Sequence, residues 1–183
     1  MKSIFISIFV LLILSFLGCS STKTLQGVDL GDVPDWYKKL PESKTHIYSA
    51  RTATSRDMQV AIDKASVDAR AEIAQKVEVQ IKQLQKRFTE EMGSGEDPTL
   101  VEQFSSATKA VVNVSLSGSS IEEKDLFDDD DFWRAYVLMK YPIGDAQKEF
   151  LSQIRNNNYL AARVTATEAF KELDNELKNS ESK

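Results

Sequence analysis

The feature that most constrains this chain is one apolar stripe that runs through residues 58–92. Apolar residues recur there at steps of three or four, the spacing of one helix face: Met58, Ile62, Ala65, Ala69, Ile73, Val77, Ile81, Leu84, Phe88 and Met92. The stripe predicts a single helix of roughly 35 residues, about 52 Å long. Thr54 and Asp57 stand three apart before it, as in a capping box, and Gly93-Ser94-Gly95 would end it. The rest of the chain must therefore bury the apolar face of one long helix.

The first half of this stripe is rich in alanine, since Ala61, Ala71 and Ala74 accompany Ala65 and Ala69. Small side chains let a sheet or a second helix approach closely. A sheet also needs an apolar cover on one face. We therefore expect the alanine-rich half of the helix to lie on a small sheet.

Shorter elements flank the long helix. Residues 46–54 and 132–141 predict strands, because their side chains alternate or are aromatic and β-branched. Pro98, with Asp97 as its cap, predicts a second helix to about Lys109. From Ala110 the apolar period changes to two, which predicts a strand that forms a long hairpin with residues 132–141.

The tip of that hairpin would be the acidic run Asp128–Asp131. Two helices, about 145–155 and 159–178, complete the chain after Pro142. The apolar residues of the second one share a face: Ala162, Ala166, Phe170, Leu173 and Leu177. The order predicts an α+β fold, with a small, about three-stranded sheet packed on one long alanine-rich helix and additional C-terminal helices.

The far half of the stripe needs a cover other than the sheet. Three strands are roughly 15 Å wide and would reach about half of the helix. The residues left over are Ile81, Leu84, Phe88 and Met92. Their cover is either the shorter helices, through Leu100, Val101 and Phe104 or through Phe170 and Leu173, or a second subunit. These four residues are thus the candidate interface.

The N-terminus has the pattern of a secretion signal. Lys2 precedes an apolar run from Ile4 to Leu17, which at about 21 Å is short of a hydrocarbon core of about 30 Å. Phe16-Leu17-Gly18-Cys19 resembles the bacterial lipobox, which implies cleavage before Cys19 and acylation of that residue. The alternative is a signal anchor with an incidental cysteine. Ser20 and Ser21 stand where an aspartate would favour the inner membrane, so we expect the outer membrane.

The composition excludes several kinds of partner and site. The 23 Lys and Arg against 28 Asp and Glu, a net charge of −5, make a nucleic-acid partner a poor expectation. One His and one Cys exclude a classical zinc site and an intrachain disulfide. Asp128–Asp131 lacks the spacing of an EF-hand loop, so a solvated hairpin tip is favoured over a calcium site. The sequence lacks the Gly-x-Ser-x-Gly motif of a nucleophile elbow, so we do not expect His46 to act in catalysis. We expect no enzyme, no metal and no cofactor.

Packing residues carry a family resemblance. Pro34-Asp35-Trp36, then Pro41, then Tyr48-Ser49-Ala50 before the alanine-periodic helix resemble the Lpp-twenty lipoprotein family, and so does the late strand around Tyr136-Val137-Leu138. The resemblance implies a surface or outer-membrane lipoprotein. One branch of the family contains the flagellar outer-membrane lipoprotein FlgP, and the N-terminal domain of FlgT is similar in fold. The sequence does not separate a flagellar from a non-flagellar member.

The expected organisation has four segments. Residues 1–18 are a lipoprotein signal peptide, 19–33 the lipidated cysteine and a flexible tether, 34–142 the α+β domain, and 143–183 a C-terminal helical extension. The expected function is that of a non-enzymatic, lipid-anchored envelope protein that binds the membrane through acyl chains and associates with itself or another envelope protein. The alternative is an anchored binding module that holds a small ligand between sheet and helix, in the periplasm or at the cell surface.

Overall fold

A computed structural model describes residues 33–93, 97–129 and 131–181. The signal peptide, Cys19 and most of the expected tether lie outside these residues. In chain order the elements are α1 (Asp35–Lys38), β1 (His46–Ser55), α2 (Met58–Met92), α3 (Pro98–Gly118), β2 (Ser120–Asp129), β3 (Phe132–Pro142), α4 (Ile143–Asn156), α5 (Asn158–Val164) and α6 (Glu168–Glu181). The α+β class is confirmed.

The long helix is confirmed as one element of 35 residues. Its cap is Asp57, whose carboxylate accepts a hydrogen bond from the Val60 backbone N–H at 3.0 Å. Thr54 lies within β1 and makes no cap, so the expected capping box was wrong. Gly93 ends α2 in the left-handed conformation, with φ of 59°, which glycine adopts without strain.

The sheet is antiparallel, with strand order β1-β3-β2. One face lies on the alanine-rich half of α2, where Ala61, Ala65 and Ala69 are fully buried. The side chains of β3 that share the core with them alternate along the strand, as the pleat requires: Ala135, Val137, Met139 and Tyr141. The sheet therefore covers the half of the helix that the alanines predicted.

The opposite face of the sheet is partly covered by α1. Tyr37 packs edge-on against Tyr136, with ring centroids 4.9 Å apart. The indole N–H of Trp36 donates a hydrogen bond to Asp125 Oδ2 of β2 at 3.1 Å. The segment before β1 is thereby held on the sheet.

The strand predicted from Ala110 was wrong, because α3 continues through those residues to Gly118. Phe104, Val111 and Ser115 are fully buried, and Thr108 nearly so, at helical steps of three and four. The alternation of Val112, Val114 and Leu116 therefore does not mark a sheet face. The hairpin itself exists, but its first strand is Ser120–Asp129, so Asp128 and Asp129 end this strand and Asp131 precedes β3.

The single helix predicted for residues 159–178 is two helices with a break at residues 165–167. Thr167 begins the second one, since its hydroxyl accepts a hydrogen bond from the Phe170 N–H at 3.3 Å. The rotation at the break leaves Ala162 and Ala166 exposed, whereas Phe170, Leu173 and Leu177 are buried as predicted. No helix among the described residues is both long and apolar enough to cross a membrane.

Candidate functional site

The far half of α2 packs on helices of its own chain. Phe88 is fully buried, with its ring 6.2 Å from that of Phe150 in α4 and 6.1 Å from that of Phe170 in α6. Ile81 is also fully buried, while Leu84 and Met92 are partly buried against the same core. Leu100 and Phe104 of α3 belong to this core. The two most buried residues of the candidate interface thus offer no free surface.

Two of the grooves beside α2 are lined by the middle of the helix. The first, the sheet–helix groove, has a volume of about 630 Å³ and runs between the start of β1 and the middle of α2. Its walls come from residues 40–43, from His46, Ile47 and Tyr48 and from Ile143, and from one side of α2, where Gln75, Val79, Gln80 and Gln83 line it. Apolar groups and amides form most of the lining, and the charged Glu72 and Lys76 that also line it are paired with each other, which suits an uncharged ligand.

Glu72 joins β1 to α2 at the edge of this groove. Its carboxylate accepts a hydrogen bond from the fully buried Ser49 and lies 2.8 Å from Arg51 Nη1 and 3.1 Å from Lys76 Nζ. Burial alone would raise the pKa of Glu72. The hydrogen bonds from Ser49 and Lys76 and the charges of Lys76 and Arg51 more than offset it, so the pKa lies below its usual range.

The same two cations also bind the main chain of the edge strand. Lys76 Nζ donates to the Tyr48 carbonyl at 2.7 Å, and Arg51 Nη1 donates to the Ala50 carbonyl at 3.0 Å. Carbonyls engaged in this way are less available to an added strand. The sheet–helix groove is therefore better suited to a small ligand than to β-strand addition.

The second, the helix–helix groove, has a volume of about 580 Å³ and lies between α2 and α3. Val101 of α3 lines it and is 55% exposed, although the sequence placed this residue among those that cover the distal stripe. Thr108 also lines it, is 4% exposed, and its hydroxyl has no hydrogen-bond partner among the described residues. Val112, Lys109 and Lys82 complete its walls, with Lys82 paired to Glu78 at 2.7 Å.

Tyr141 is a second buried group of this kind. It is 2% exposed, and no partner for its hydroxyl is found in the described part of the chain. Burial, and then the nearby carboxylates of Asp145 and Glu149, raise its pKa. Its ring fixes Gly118 at the end of α3, because a Cβ there would lie 2.9 Å from Tyr141 Cε2. This tyrosine is chiefly a packing residue.

The segment that forms these elements matches a known protein family. The sequence profile of the LPP20 lipoproteins matches residues 34–140, which run from the start of α1 almost to the end of β3. The chain belongs to the LPP20 lipoprotein family. A comparison with curated proteins finds no match. The family is not a known enzyme family, and it indicates a lipoprotein of the cell envelope.

Three candidate sites for chemistry in this LPP20 lipoprotein came from the sequence: a metal site, His46 and the acidic hairpin tip. No group of three or more His, Cys, Asp or Glu in the described ranges could hold a metal ion. His46 Nδ1 lies 2.9 Å from the Thr45 hydroxyl, in a local hydrogen bond at the start of β1. The hairpin tip carries Asp128 and Asp131, both exposed. The FlgP and FlgT relationship stays a prediction.

Sequence reasoning offered a ligand site between sheet and helix as an alternative but named none of its residues, and it missed the helix–helix groove. The Glu72 cluster joins residues 23 apart in the chain, on a strand and on a helix, and no periodicity reports such a contact. The helix–helix groove was hidden because residues 110–117 were assigned to a strand. One signal was available: Val101, Thr108 and Val112 lie at helical spacing, as the lining of one helix side requires.

Proposed function

We propose that this LPP20 lipoprotein is a non-enzymatic, lipid-anchored envelope protein whose domain works by association with other protein molecules. The observation that carries the proposal is the helix–helix groove. It combines an exposed valine with a buried hydroxyl that has no hydrogen-bond partner within residues 33–93, 97–129 and 131–181. Cover by another protein would bury the apolar wall of this groove and could supply the missing hydrogen bond.

The association surface differs from the one that the sequence suggested. Ile81 and Phe88 are covered by helices of the same chain, so using them as an interface would require those helices to leave. The helix–helix groove needs no such rearrangement. It lies on the side of α2 lined by Glu78, Lys82 and Gln85.

Two valines of nearly equal exposure allow a matched test. Val101 in the helix–helix groove is 55% exposed, and Val79 in the sheet–helix groove is 56% exposed. The full-length protein would be cross-linked in whole cells with an amine-reactive reagent. We expect species above the monomer mass that Val101→Asp removes and Val79→Asp preserves. Monomer alone, or equal effects of the two variants, would contradict the proposal.

Anchoring is proposed to occur through acyl chains on Cys19, in the outer membrane. The support is the lipobox-like sequence together with the family, whose members are lipoproteins. Two or three acyl chains would make the attachment effectively stable. We expect Cys19→Ala to abolish incorporation of labelled fatty acid and to leave an uncleaved or soluble product. Labelling of this variant would show that another residue is modified.

The sheet–helix groove supports a second candidate function, binding of a small uncharged ligand. Its volume of about 630 Å³ is in the range of ligand pockets, and it lies between sheet and helix. Native mass spectrometry of the full-length protein would detect a retained ligand. A bound molecule that Val79→Asp displaces and Val101→Asp retains would favour this function over association.

A further inference from the structure

The hairpin tip and the helix–helix groove have complementary chemistry. The tip presents Asp128 and Asp131, both exposed, beside Phe132, which is 44% exposed. The guanidinium of Arg56 lies 5.8 Å from the centroid of the Phe132 ring, so at least one side of this ring already has a partner. The described residues of the tip thus present carboxylate acceptors beside an aromatic side chain.

The groove offers the opposite set of groups. Val101 and Val112 provide apolar walls, and Thr108 provides a buried hydroxyl without a partner in the described part of the chain. Lys109 makes no ion pair there, while Lys82 is paired with Glu78. Counting Glu78, Lys82 and Lys109, the lining carries a net charge of about +1 at neutral pH. A donor-rich, weakly cationic groove would accept an acidic tip.

We propose that the hairpin tip of one copy (Asp128, Asp131 and Phe132) docks in the helix–helix groove of a second copy. Phe132 would lie against Val101, and the aspartates would face Lys109. This inference rests on the proposed function, because it names the partner in the association. The two surfaces lie on different elements, so the contact can be reciprocal about a two-fold axis or head-to-tail, and the head-to-tail arrangement leaves one free tip and one free groove on every pair.

Thiol cross-linking in full-length protein tests this contact directly, because Cys19 is the only native cysteine. Two differently tagged copies are coexpressed, one with Val101→Cys and the other with Phe132→Cys. A short bifunctional thiol reagent should join the two copies into a dimer that carries both tags. The control replaces Val101→Cys with Val79→Cys, which is equally exposed but lies in the other groove.

Charge reversal separates docking from random collision. Lys109→Glu in the copy with Val101→Cys should lower the yield of the doubly tagged dimer about two- to fivefold, the range of an exposed ion pair. Asp131→Lys in the copy with Phe132→Cys should have the same effect. Both changes together should restore the yield. The unmodified pair should lose yield as salt is raised, since exposed charges are screened.

The outcomes are distinct. A yield for Val101→Cys with Phe132→Cys no higher than for the Val79→Cys control overturns the inference. Failure of the combined charge reversal to restore the yield also overturns it. If amine cross-linking still shows Val101-dependent species, the association proposal stands with another partner surface. If only monomer is found in both experiments, the inference and the proposed function fail together.

Discussion

The two halves of α2 belong to one uninterrupted helix but have different covers. Between Ala61 and Ala69 the helix lies on the sheet, and the buried side chains are mostly small. Between Ile81 and Phe88 it lies among α3, α4 and α6, and the buried side chains are large and partly aromatic. A sheet brings its backbone close to the helix, whereas helices meet through longer side chains. The buried side chains of α2 are therefore small where the sheet covers the helix and large where other helices cover it.

This comparison predicts that the far half contributes more stability per residue. Phe88→Ala should lower the free energy of unfolding by about 3–5 kcal/mol, because the cavity between the Phe150 and Phe170 rings cannot close. Chemical denaturation of the full-length protein in detergent would measure it. Val79→Ala, on an exposed side of the same helix, is the control and should change the free energy by less than about 0.5 kcal/mol. Equal effects would show that Phe88 is not buried between these two rings.

The near half should respond to added volume instead. Ala65→Leu should cost about 1–3 kcal/mol, because its methyl group lies in the fully buried contact with the sheet. Ala71→Leu places the same side chain on an exposed side of the helix and should be nearly neutral. Denaturant melts of the two variants give the comparison. A neutral Ala65→Leu would mean that the sheet does not contact this face.

The smallest expected effect is at the edge of the near half, where Glu72 ties β1 to α2. Its pKa is lowered in the folded state, so its contribution is present above the unfolded pKa and is lost as pH falls through the folded pKa. Glu72→Gln should cost about 1 kcal/mol at pH 7. The difference from the wild type should shrink as the pH is lowered. A difference that stays constant down to the acid limit of the melts would show that the ion pairs are not its source.

Much of the fold could be predicted because the apolar residues of α2 recur at regular steps of three or four. The limits of α2 and β3, the sheet on the alanines and the acidic hairpin turn all follow from local pattern. The extension of α3 did not, because one of its buried positions is Ser115, whose hydroxyl is satisfied locally by donating to the Val112 carbonyl at 2.7 Å. A stripe that contains a serine and a threonine does not look apolar in the sequence. The break before α6 likewise depends on a hydroxyl cap at Thr167.

The candidate site could be predicted only in part. That the far stripe needs a cover beyond the sheet follows from lengths alone. Whether this cover comes from the same chain or from a second subunit depends on how α4 and α6 pack against α2. The grooves lie where the sheet and the shorter helices no longer cover α2. They depend on how several elements pack together, so no single segment of the sequence predicts them. Val101 illustrates this, since its helix is buried on one side and the valine points away from that side.

The central claim is that the far half of α2 is covered by its own chain, so that the proposed association would use another surface. Thiol reactivity of Ile81→Cys in the full-length protein tests this, with Val79→Cys as the exposed reference and the modified site identified by peptide mapping. A cover from the same chain predicts that the thiol at position 81 stays unreactive at every protein concentration while the thiol at position 79 reacts throughout. A thiol at position 81 that becomes reactive when the protein is diluted, with the melting temperature unchanged, would show that a second subunit supplies the cover.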